Sequence, residues 1–157
     1  MASPNSTFSA NQVLTAAQMN NLPFGTVGTP VVLTTLNFNP TTAADIAGAT
    51  ITFTAVANRV YRVTYCFFAN SSLADTSLSI TFTDTTPTTI NTSLFTFGTP
   101  LAPEGRQISN VFYFTAGSSG SITRKLRAAR AVGAGTLTIF SNATLPFQFA
   151  IEDVGST

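Results

Sequence analysis

Histidine and tryptophan are missing from this chain, and cysteine occurs once, as Cys66. Without His, the commonest general base and metal ligand is gone, and with it Ser-His-Asp and Cys-His catalysis. A single Cys excludes an intrachain disulfide, and on an apolar strand Cys66 is expected to pack as a small buried hydrophobe. Charge is scarce too: 8% of residues are charged, against about 25% in ordinary soluble domains. A net charge of +1 gives no global field to attract nucleic acid. So little charge protects a lone monomer poorly against association, so much of the surface is expected to be buried against other subunits. No apolar run reaches the ~18 residues of a membrane helix. Residues 1–12 have no basic region followed by an apolar core, so no signal peptide is expected.

The acids are few: Asp45, Asp75, Asp84, Glu104, Glu152 and Asp153. A glycosidase needs two carboxylates facing one sugar bond. Asp75 and Asp84 flank one predicted strand and would stand roughly 30 Å apart, too far for that work. Glu152 and Asp153 are adjacent, so a strand sends them to opposite faces. No spacing gathers the oxygen ligands of a Ca²⁺ site. The expectation is a non-enzyme without cofactor, its turn acids bonding nearby backbone.

What is abundant favours strands. There are 14 Phe, and Thr is frequent throughout the 157 residues, which suit one domain with a real core. Residues 49–68 organise the rest. Ile51, Phe53 and Ala55 alternate with Thr50, Thr52 and Thr54, the period of a half-buried strand. Asn58 marks a turn, since Asn tolerates left-handed backbone angles. From Val60 the next strand is apolar on both faces, with Tyr61, Val63, Tyr65 and Phe67 on one of them. It should lie mid-sheet or at a subunit contact. The two strands read as a hairpin. Residues 39–48 read as a loop with a helical turn over 42–46. Further strands are predicted over 25–38, 77–83, 89–97, 108–115 and 145–154. Residues 121–131 and 136–142 read as a second hairpin across Gly133-Ala134-Gly135. About nine strands with turn chemistry between them predict an all-β antiparallel β-sandwich, jelly-roll-like.

Before it, residues 1–24 read as a docking segment attached to a sandwich domain of residues 25–157. Two hydroxyl-to-Gln capping boxes, at Ser9–Gln12 and Thr15–Gln18, predict a short helix over 15–21, stopped before Pro23. A two-turn helix is marginal alone. Leu14, Met19, Leu22 and Phe24 would dock it, either on a neighbour or back on their own core.

One basic cluster is present: Arg124, Lys125, Arg127 and Arg130. Strand alternation puts Arg124 and Arg130 with Leu126 and Ala128, and Lys125 and Arg127 on the other face. Split in this way, the cluster reads as edge protection or ion pairing between subunits, and less well as an anionic or glycan contact. The sequons at Asn5, Asn70, Asn91 and Asn142 are what so Thr-rich a chain gives by chance.

Four segments resemble a family of small tailed-bacteriophage structural proteins. They are VLTAAQMNNLPFGTVG (residues 13–28), ITFTAVANRVYRVTY (51–65), SITRKLRAARAVGAGTLTI (121–139) and ATLPFQFAIEDVG (143–155). The family pattern has an LTAA opening closed by N-x-LP-[WF]-G, a TFTAVA strand, a KLRA-x-R strand and a closing EDIG. Phe24 stands where Trp is usual, and Val154 where Ile is usual. The resemblance implies a virion protein on the particle surface, made in the host cytoplasm, with no catalytic residues. With the composition it implies a homotrimer, partnered by the major capsid protein or by tail proteins. Capsid decoration and a tail-fibre or minor tail role touching host glycan are both open, and a glycan-degrading enzyme is a remote third.

Overall fold

The computed structural model describes residues 22–98 and 105–156. They form eleven strands: β1 (Gly25–Thr26), β2 (Val31–Leu33), β3 (Asn37–Phe38), β4 (Ala44–Ala55), β5 (Arg59–Ser71), β6 (Thr76–Thr83), β7 (Thr89–Phe97), β8 (Arg106–Thr115), β9 (Gly120–Val132), β10 (Leu137–Phe140) and β11 (Phe147–Ser156). Every pairing is antiparallel. One sheet has four rows: β8, then β5, then β11 and β10 end to end, then β1, β2 and β3. The other runs β4-β9-β6-β7.

The alternation in β4 is realised: Ile51, Phe53 and Ala55 are buried while Thr50, Thr52 and Thr54 are exposed. In β5, Tyr61, Val63, Tyr65 and Phe67 are all buried, and the strand lies between β8 and β11. Rings join the two sheets. Phe82 of β6 meets Phe112, Phe114 and Phe149 of the facing sheet, with centroids 5.1, 5.4 and 6.3 Å away. Each fully buried Phe contributes about 1.5–3 kcal/mol by leaving water, so this aromatic layer is what holds the sheets face to face.

Neither predicted hairpin forms. Asn58 does take a left-handed angle, φ 64°, but its turn carries the chain from one sheet to the other. β4 pairs with β9, and β5 with β8, β10 and β11. Phe53 and Tyr61 then face each other across the core at 5.1 Å. Val56 N–H donates to the Tyr61 hydroxyl at 2.9 Å. β9 and β10 likewise fall in different sheets, with Gly135 N–H donating to Thr76 Oγ1 at 3.2 Å. Alternation fixes which face is buried and leaves the pairing partner open. The loop expected over 39–48 is also corrected: β4 begins at Ala44, and a register shift between Asp45 and Thr50 absorbs the irregular stretch. Within 25–38, where one strand carrying Val31, Val32, Leu33 and Leu36 is expected, three short ones form, with Val31–Leu33 as β2. The helix predicted over 15–21 lies outside the described residues.

The two sides of the sandwich differ. On one, the chain between β1 and β2 crosses β4. Gly28 is at φ +68°, and a Cβ there would come within 2.7 Å of the Ile51 side chain and 2.9 Å of the Thr52 carbonyl. Leu33 packs against Gly48 in the same way, so this side is closed. On the other, β7 and β8 end their respective sheets among the described strands.

Candidate functional site

The first described residues return to the body of the domain. The Arg59 guanidinium donates to the Leu22 carbonyl and lies 4.1 Å from the centre of the Phe24 ring. Arg59 is itself buried and bound to Asp153: Nε to Oδ2 at 2.6 Å and Nη2 to Oδ1 at 2.7 Å. Gly155 N–H adds a bond to Asp153 Oδ1 at 2.9 Å, in the bulge where β11 slips against β5. Leu22 and Phe24 therefore lean on their own domain, yet stay exposed at 42% and 59%. Leu14 and Met19, the other predicted docking residues, lie outside the described residues.

Asp153 and Glu152 do take opposite faces, as adjacent strand residues must. Glu152 binds Arg62 on the outer face, and this pair holds the Arg62 guanidinium above its ordinary pKa. Sequence reading missed both partners. The available signal was parity: Arg59 and Arg62 fall on opposite faces of one strand, as Asp153 and Glu152 do on its neighbour.

The basic cluster is divided as alternation predicts. Lys125 Nζ and Arg127 Nε each lie 2.9 Å from the Asp45 carboxylate. Arg124 lies over the Phe114 ring at 5.3 Å, and burial lowers its pKa against the pull of Asp84. Arg130 donates to the Gly135 carbonyl at 3.1 Å. These four cations are engaged within the chain and make no single patch. Asp84 closes the β6–β7 turn. Its Oδ1 accepts from the backbone N–H groups of Thr86 and Thr88 at 2.9 Å each, and these bonds hold its carboxyl below the ordinary range. Among the described residues no three His, Cys, Asp or Glu side chains gather where they could hold a metal.

The outer faces of the sheets contrast. The β4-β9-β6-β7 face carries hydroxyl pairs, Thr52 with Thr123 at 2.8 Å and Ser77 with Thr96 at 2.9 Å. The other face exposes Val32, Val111 and Tyr113. Two shallow cavities of about 210 Å³ each adjoin there, sharing Cys66 and Gln148. Cys66 is half-exposed rather than buried, accepting from Gln107 Nε2 at 2.9 Å, because strand parity turns it away from the core. A larger cavity, about 380 Å³, opens between β7 and β8 and is lined by residues 94–97 and 106–109. Beyond its closed end Asn110 Nδ2 reaches Ser93 Oγ at 2.6 Å, bridging the two strands.

No protein-family model and no curated protein matches the chain. Among solved structures it is similar to the insecticidal delta-endotoxin Cry8Ea1 of Bacillus thuringiensis, with 14% identity over 78% of this chain and 20% of that one, TM-score 0.42. It is similar to dimeric latent PorU of Porphyromonas gingivalis, with 9% identity over 86% of this chain and 13% of that one, TM-score 0.43. It is also similar to the VP2 protein of infectious bursal disease virus, with 12% identity over 83% of this chain and 38% of that one, TM-score 0.37. The chain thus spans well under half the length of each. Likeness at this distance has no bearing on function.

Proposed function

We propose that the chain is a virion structural protein of a tailed bacteriophage. In this reading it is a homotrimeric capsid-decoration subunit that stabilises the particle through protein–protein contacts, with no bond made or broken. The observation that carries it is the distribution of chemistry. Asp45, Glu152 and Asp153 are tied to cations, and Asp84 to its own turn. Meanwhile the strands expose the large apolar side chains Val32, Ile90, Leu94, Val111, Tyr113 and Val132. A surface of that kind suits contact with other proteins better than turnover of a substrate. The row order, β1–β3 beside β10 and β11, then β5 and β8, over β4-β9-β6-β7, supports a jelly roll. That architecture serves in viral capsid and lectin domains. The four motif segments that resemble tailed-phage structural proteins support a virion protein and leave head or tail open; the partner proposed for decoration is the major capsid protein.

A second reading, a tail-fibre or minor tail protein touching host glycan, is favoured by one feature. Tyr113 is 60% exposed in mid-strand beside the Arg62–Glu152 pair. An open aromatic ring with polar neighbours is suited to stacking on a sugar. Antibody labelling of intact particles separates the two. Signal across the head lattice is the expected result; signal confined to the tail tip overturns decoration.

A further inference from the structure

Among the described residues the sandwich is closed on its β4 side and open on its β7–β8 side, and the open side shows none of the usual protections. Strands that end a sheet present unpaired N–H and C=O groups, and proteins ordinarily blunt such edges with Lys, Pro, a covering segment or very short strands. Here β7 and β8 run 9 and 10 residues, contain no Pro and no Lys, and carry one charge between them, Arg106. Among the described residues no strand pairs with the outer edge of either. The same two strands carry large exposed apolar side chains, Ile90 and Leu94 on β7 and Val111 and Tyr113 on β8, which lie on the outer faces of the two sheets and flank the open edge.

We infer that the β7–β8 side is the surface through which copies of this chain meet, with a second copy as its occupant. The inference rests on the self-assembling reading above and names its contact surface. Three properties select an identical chain. The side is nearly free of charge, so like copies approach without repulsion, and the whole protein carries only +1. An unpaired strand is itself a template for an unpaired strand. The size also fits. Strands of this length make a side about 30 Å long, and two sheets ~10 Å apart with their side chains make it roughly 25 Å across. That is on the order of 700 Å², close to the ~800 Å² per partner of a standard interface.

The test is the mass of the purified full chain by sedimentation equilibrium, for the wild type and two variants. Leu94→Lys/Val111→Lys places charge on both strands of the open side. Val32→Lys charges the same outer face as Val111, three strand rows away. The expected result is a multimer for the wild type and Val32→Lys, and a single chain for the double variant with an unchanged circular-dichroism spectrum. A multimer that survives the double variant and is lost in Val32→Lys overturns the surface but leaves self-assembly standing. A monomeric wild type overturns both. Should the double variant not fold, amide exchange on the wild type decides. Protection of β7 and β8 that grows with concentration is expected, and concentration-independent exchange in both strands refutes the inference.

Discussion

Arg59 and Asp153 are 94 residues apart in sequence and 2.6 Å apart in space, at the starting end of β5 and the finishing end of β11. Their side chains are 3% and 1% exposed. The pair closes the end of the central sheet and receives the first described residues, through the Leu22 carbonyl and the Phe24 ring. Removing one partner would strand a charge in the interior. Asp153→Ala is expected to cost about 3–5 kcal/mol, whereas replacing both partners by apolar residues recovers most of it. Urea denaturation of the two single variants and the double variant measures this. A loss in the double variant equal to the sum of the two single losses would show that the pair is not coupled.

Phe82 has three ring partners on the opposite sheet. Phe82→Ala is therefore expected to destabilise by about 3–5 kcal/mol, from lost transfer energy plus the cavity left behind. Tyr113→Ala, by contrast, should fall within about 0.5 kcal/mol in the monomeric protein, because the ring is mostly in water. Chemical denaturation of both variants provides the comparison.

Gly28 and Gly25 separate strain from collision. Both have left-handed backbone angles, φ +68° and +75°, but a Cβ at Gly25 meets nothing within 4 Å. Gly25→Ala should cost only the backbone term, about 1–2 kcal/mol. Gly28→Ala should cost that and the displacement of Ile51 and the β4 backbone, about 1–3 kcal/mol more. Thermal denaturation ranks the two, and equal losses would mean that the chain over β4 is loose.

Asp84 sets a pH dependence. Its carboxyl is held below its ordinary value in the folded chain by the bonds from Thr88 and Thr86. A depressed carboxyl contributes stability that is fully present above the unfolded pKa, about 3.9, and lost as pH falls through the lower folded value. Melting temperature measured from pH 5 down to pH 2 should fall less steeply for Asp84→Asn than for the wild type. An identical slope would remove Asp84 from the account of acid sensitivity.

Much of the sheet content was legible because burial on one face leaves a period of two, and the runs at Ile51–Ala55, Tyr61–Phe67 and Leu78–Phe82 are clean. Which strands pair was not legible, for a physical reason. A strand that turns back beside its predecessor and one that crosses to the facing sheet bury the same residues. Tyr61 would point inward and lie near Phe53 in both cases, and only the ladders, β4 with β9 and β5 with β8 and β11, distinguish them. The short rows β1–β3 were obscured because Gly25, Gly28 and Pro30 interrupt the pattern that would mark one strand. The division of Arg124 and Arg130 from Lys125 and Arg127 followed from parity alone. The Arg59–Asp153 pair did not, because nothing local joins residues so far apart in the chain.

The most direct test of a protein that works by adhesion is rebinding. Particles assembled without this chain should be mixed with the purified protein, then sedimented and heated. Decoration predicts saturable co-sedimentation in multiples of three copies and a higher temperature of genome release. Protein left in the supernatant at every concentration, with release temperature unchanged, would contradict it.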